Sequence, residues 1–145
     1  MSEPQSDSPK PRPLGQAVVF SVAAKLDSLA VIRTLVTALA TLEDLDLDAI
    51  ADLRLAVDEA CTRLIRSAAP EAMLEVKVEP HATELVITAS ASCIGPDVLR
   101  PGTFSWHVIS SLTDDVAVSR DGVEVPDEGR IFRITMTARR LEPNR

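Results

Sequence analysis

Basic residues are in short supply. Lysine and arginine number 15 against 22 aspartates and glutamates, a formal charge of −7. A surface of that sign repels a phosphate backbone, so direct nucleic-acid binding is not expected and a basic partner is favoured. Cysteine and histidine are scarcer still, two of each. Cys61 and Cys93 have no ligand-like spacing to each other or to His81 and His107, which argues against a zinc site. No apolar run reaches the ~18 residues that cross a bilayer. The basic-then-apolar layout of a secretory signal is missing from the N-terminus. A cytoplasmic protein with no membrane partner is expected.

What is there is globular. The chain has 145 residues, 46% hydrophobic and 26% charged, the size and composition of one domain with a two-layer core. Its organising stretch is 50–69. Ile50, Leu53, Val57, Ala60, Cys61, Leu64 and Ala68 recur at steps of three and four, the period of a helix with one buried stripe. Asp52, Glu59, Arg63 and Arg66 form a second, charged stripe.

The rest follows in order. Residues 1–13, with Pro4, Pro9, Pro11 and Pro13, are expected to be a disordered tail. Residues 16–23 read as a strand. Asp27 or Ser28 caps a helix whose stripe is Leu29, Ile32, Val36, Leu39 and Leu42, widened by Val31 and Leu35. The acidic turn Glu43–Asp46 ends it, and Asp48 caps the central helix, which Pro70 stops. Residues 73–79 and 84–91 alternate as a hairpin, with Met73 counted as core. A loop from Ser92 to Gly102 carries Cys93 and the breakers Gly95-Pro96 and Pro101-Gly102. Thr103 or Ser105 opens a short helix with Trp106, Ile109 and Leu112 on its apolar face. Val116–Val118 is a strand, Asp121-Gly122 a tight turn, and 130–138 a final strand. Arg139 and Arg140 begin a polar tail. The order β-α-α-β-β-α-β-β predicts an α+β domain, a two-layer sandwich of 14–140 with a mixed, mostly antiparallel sheet and helices on one face, followed by a tail at 141–145.

The stretch Leu55-Ala-Val-Asp-Glu-Ala-Cys-Thr62, the element order and Asp114-Asp-Val116 after the short helix together resemble the anti-sigma factors and serine-protein kinases of the histidine-kinase-like ATPase fold, of the anti-sigma-B and anti-sigma-F type. The resemblance covers residues ~16–139. It implies a sigma factor and an anti-anti-sigma factor as partners, and a homodimer formed through the first strand and first helix. It also implies an ATP site in which Glu59 falls on the catalytic base. Arg63 falls where the family has the asparagine that holds Mg2+, and a guanidinium has only donors to offer. Ala91 falls nearest the aspartate that reads adenine, in the stretch Ser90–Cys93. Thr103 and Ser105 fall on the phosphate-cradling glycines. Arg33 is nearest to a partner-binding arginine of the first helix.

From the residues alone, Glu59 and Arg63 stand four apart on a helix and are expected to form a solvated ion pair. Cys61 reads as a core residue, Trp106 as core or interface, His107 as surface. With several family contacts replaced, ATP is expected to be held weakly if at all, and Mg2+ is not expected. The reading is an anti-sigma factor that sequesters a stress-response sigma factor, with a degenerate nucleotide site. The alternatives are an active ATP-dependent serine/threonine kinase acting on the anti-anti-sigma factor, and a bare structural domain of a larger assembly.

Overall fold

The structure, a computed structural model, describes residues 15–96, 98–125 and 129–141, with the side chains of all but 122–125. The expected tail at 1–13, and all but the first residue of the one at 141–145, lie outside the described residues. Strand β1 (Val18–Ala23) leads through a single 3-10 turn at Leu26–Ser28 into helix α1 (Leu29–Leu42) and helix α2 (Leu47–Ser67). Strands β2 (Met73–Pro80) and β3 (Glu84–Cys93) form a hairpin. Helix α3 (Phe104–Leu112) and strands β4 (Asp115–Val125) and β5 (Gly129–Arg139) complete the described elements.

The five strands form one sheet in the order β1-β2-β3-β5-β4. Every pairing is antiparallel, where a partly mixed sheet was expected. The reason is topological. β3 and β4 run the same way, but β5 returns between them, antiparallel to both, so the parallel neighbours never touch.

Alternation along the strands assigns the faces. Leu74, Val76 and Val78 of β2, Leu85, Ile87, Ala89, Ala91 and Cys93 of β3, and Phe132, Ile134, Met136 and Ala138 of β5 are buried on one face. The helices cover that face. α2 contributes Ile50, Leu53, Ala56, Val57, Ala60, Cys61, Leu64 and Ile65, and α1 contributes Leu29, Ile32, Val36 and Ala40. Truncating Leu64, fully buried, to alanine belongs to the class of core change that costs about 2–5 kcal/mol.

Several local expectations change. The cap of α2 is Asp46, whose Oδ1 accepts from the Ala49 amide at 3.1 Å; Asp48 lies in the first turn. Asp44, at φ 63°, turns the chain so that Asp46 meets the free amides. Ser28 stands before α1 but does not cap it with its side chain; its hydroxyl donates to the Ala23 carbonyl at 2.7 Å. Leu42 and Met73 are exposed, not core. Met73 points to the face opposite Leu74, and Leu42 sits where α1 ends and Ala40 has already closed the stripe. β4 continues through Asp121-Gly122 with an irregularity in register rather than turning there, because Val125 still pairs with Gly129. β3 runs two residues further than expected, because Ala68 bridges Cys93 and the Ala69 amide donates to the Ser92 carbonyl at 2.8 Å. Cys93 is therefore a buried strand residue and not a loop residue.

Arg140 is not part of a loose tail. Its guanidinium donates to the Glu43 carbonyl, to Glu43 Oε1 at 2.9 Å and to the His81 carbonyl at 2.8 Å. Glu43 is buried, so this pair fastens the end of the last strand to the α1–α2 turn and the β2–β3 turn.

Candidate functional site

The second stripe of α2 is divided. Asp52 and Arg66 are exposed, whereas Glu59 and Arg63 are half-buried against the loop from Ile94 to Thr103 and the start of α3. They do not pair with each other, as their spacing had suggested. Glu59 Oε2 accepts from the Ser105 hydroxyl at 2.6 Å, a short bond of the charge-assisted kind. Arg63 Nε donates to the Val98 carbonyl at 3.3 Å. One turn of helix therefore reaches two successive parts of the same connection.

The loop is seated at several points. Thr103 caps α3, its hydroxyl oxygen accepting from the Trp106 amide at 3.3 Å while its hydroxyl donates to the Arg100 carbonyl at 2.7 Å. Arg120 of β4 donates from Nη1 to the Pro96 carbonyl at 2.7 Å. Between these anchors Val98 and Leu99 are 2% and 4% exposed and belong to the hydrophobic core. The loop thus drives two apolar side chains inward beside Arg63.

What remains open lies on either side of that plug. One pocket of ≈ 280 Å³ has Arg63, Thr103, Phe104 and Ser105 in its wall, with Val98, Leu99 and Arg100. A larger cleft of ≈ 490 Å³ lies under the loop on the side of β4 and β5. Phe104 stands at the mouth of the smaller pocket, 80% exposed.

Of the residues that sequence reading assigned to a nucleotide site, four come together: Glu59, Arg63, Thr103 and Ser105. Ala91 and Cys93 do not line either opening. Ala91 is a buried strand residue paired across from Phe132, and its methyl group accepts no hydrogen bond. Cys93 packs under α2, its thiol 3.7 Å from the Leu64 carbonyl. Burial pushes this thiol up to about 11; Cys61 is pushed up to about 12, by burial first and then by the nearby Asp58 charge. Neither provides a thiolate at neutral pH. Trp106 packs against the core and His107 is exposed.

Arg33 is elsewhere. Its Nε donates to Asp58 Oδ1 at 2.8 Å, joining α1 to α2, and it lines a shallow surface groove with Ala30, Thr34, Thr37, Ala38 and Arg54. Sequence reasoning did not find Val98, Leu99, Arg100, Arg120 or Arg130 as site residues. The signal for the first two was an adjacent apolar pair held between Gly95-Pro96 and Pro101-Gly102.

Residues 22–131 match the family described as histidine kinase-like ATPase domain. Two strains of Mycobacterium tuberculosis, CDC 1551 / Oshkosh and H37Rv, each carry a protein named anti-sigma-F factor RsbW that is 55% identical over 130 residues. The alignment spans 90% of this chain and 77% of each relative.

Proposed function

The chain belongs to the histidine kinase-like ATPase domain family, and on that premise we propose that it is an anti-sigma factor with a disabled nucleotide site. It holds a stress-response sigma factor away from RNA polymerase and gives it up when an anti-anti-sigma protein competes for overlapping surface. The relatives' name supports the first half of this reading. The second half is carried by one observation: Val98 and Leu99 fill the space beside Arg63, and Arg63 spends its Nε on the Val98 carbonyl.

A magnesium nucleotide fits these residues poorly. Arg63 offers no lone pair to a cation. Ala91 offers no acceptor to an adenine amino group. The loop that would have to close over a triphosphate already occupies its own place in the core. Glu59 favours the kinase alternative, being a carboxylate at the family's base position, but its Oε2 is engaged by Ser105. Phosphoryl transfer needs base, metal and backbone donors acting together, and a carboxylate by itself does not supply that set.

Calorimetry with ATP, with and without Mg2+, tests the reading. Weak or absent binding is expected, with no transfer of radiolabelled phosphate to an anti-anti-sigma partner. Stoichiometric transfer within minutes, abolished by Glu59→Ala, would overturn it. Arg63→Asn restores the family residue and unpins the loop; ATP affinity is expected to rise if the arginine is the block.

The same reading assigns a homodimer. β1 pairs on one side alone among the described strands, and Val19 of β1 and Val31 and Leu35 of α1 are exposed. Arg33, on the same helix, is the partner-facing cation. Arg33→Glu is expected to weaken sigma binding by more than ~1.4 kcal/mol, a factor of ten, with the fold intact and the melting temperature somewhat lowered by loss of the Asp58 bond. Equal affinity in a titration would move the interface elsewhere.

A further inference from the structure

We infer that a pocket of ≈ 340 Å³ on the sheet face turned away from the helices is a site for a zwitterionic α-amino acid with an aliphatic side chain. Leu74 and Val76, Ala89 and Ala91, and Phe132 and Ile134 are buried under the helices. The residues between them, Glu75, Ser90 and Arg133, therefore project from the other face. Glu75 stands opposite Ser90, and Ser90 opposite Arg133. This row sets an acid and a base two strands apart with a small hydroxyl between them, and all three line the pocket. Two strand spacings make ~10 Å. Two charge-assisted bonds of ~2.8 Å, with the ~3 Å between the ammonium and carboxylate of one amino acid, fit within that span.

The ion pairs around the row make the second, independent point. Arg133 Nη1 donates to Asp121 Oδ2 of β4, so the base is drawn away from Glu75. Lys77, the neighbouring cation on β2, pairs with Glu79 at 3.5 Å. Glu75 is left without an ion-pair partner among the described residues. The bond to Asp121 also fixes the plane of the Arg133 guanidinium, with Nη2 and Nε available to a ligand carboxylate.

The lining selects the ligand class. A simple amine leaves Arg133 unused, and a simple carboxylate is repelled by Glu75. A zwitterion meets both. Hydroxyls of Ser21, Ser90 and Ser92 can accept the remaining ammonium protons or donate to the carboxylate. Met73 and Ile131, two residues along from Glu75 and Arg133, flank Ser92 and are both exposed. They form apolar walls with a small floor between them, room for an aliphatic side chain. The volume lies within the ~300–1,000 Å³ common to small-ligand sites. Glu59 and Arg63 lie on the helical side of the sheet, and the site does not rest on the anti-sigma reading.

The test is an NMR titration of the full chain, following backbone amide shifts with L-leucine, isocaproate, isoamylamine and glycine. L-Leucine is expected to bind saturably at millimolar concentration and to move the amides of 73–76, 90–92 and 131–133. Isocaproate lacks the ammonium, isoamylamine the carboxylate and glycine the side chain; each is expected to bind at least tenfold more weakly. Glu75→Gln, an isosteric change at an exposed position, should reduce L-leucine affinity at least tenfold with unchanged melting, and Arg133→Gln should do the same with the fold intact. Arg63→Asn should leave binding as it was. Absence of saturable binding by L-leucine overturns the site, and so does full affinity in Glu75→Gln. Isoamylamine or isocaproate binding as tightly as L-leucine overturns the zwitterion assignment. Shifts confined to α2, α3 or the loop between β3 and α3 would assign the ligand to another pocket and overturn this one.

Discussion

At the scale of single residues, the two thiols and one glycine have consequences that can be measured. Cys61 and Cys93 titrate at about 12 and about 11 rather than at the ordinary 9.0. The folded chain therefore binds those protons more tightly than the unfolded chain does. Their contribution to stability is fully present below pH ~9 and is lost as pH rises toward the folded values. Urea midpoints are expected to fall above pH ~9, less steeply in Cys61→Ala, and the chain has no tyrosine to add its own titration there. At pH 8 a thiol reagent should leave both cysteines unmodified until denaturant is added. Gly129 occupies φ +73°, and a Cβ there would stand 2.2 Å from the Cys93 carbonyl oxygen, a backbone atom that cannot swing aside. Gly129→Ala is expected to cost about 2–4 kcal/mol. For a chain of this size that lowers the melting temperature by roughly 2–4 °C for each kcal/mol.

At the scale of elements, periodicity carries most of the information. The stripe of α2 and the alternation in β2, β3 and β5 are legible because each residue's face follows from its spacing once one face is buried. What periodicity does not contain is the neighbour. Cys93 reads as a loop residue because nothing in its own stretch shows that Ala68 and Arg130 pair on either side of it. Asp121-Gly122 has the composition of a turn, yet pairing between Val125 and Gly129 carries the strand onward. β1 is an edge strand, paired on one side alone among the described strands. An edge strand with Val19 half-exposed resists nothing that would pair with it. Val19→Lys places a charge on that edge and is expected to leave a folded monomer, in sedimentation at micromolar concentration, where the parent chain sediments as a dimer. A parent chain that is itself monomeric would remove the interface.

For the molecule as a whole, the family is legible from a short helical stretch and the element order, and the histidine kinase-like ATPase match bears that out. The condition of its site is only half legible. Arg63 and Ala91 stand in the sequence as departures from a pattern, but their partners are set by the path of a loop. The expected bond between Glu59 and Arg63 gives way to two bonds from α2 to Ser105 and Val98, groups 46 and 35 residues distant. The sheet order has a further consequence, for how the chain comes to be folded at all. β5, the last in chain order of the described strands, lies between β3 and β4 rather than at an edge. Until it leaves the ribosome, β3 presents an unsatisfied ladder and β4 has no strand to join, so a nascent chain stalled before Gly129 holds a three-stranded fragment with its core half uncovered. The Arg140 clasp on Glu43, 97 residues back, closes after that. The need for a chaperone or for fast translation is therefore greatest over the stretch that precedes the emergence of β5.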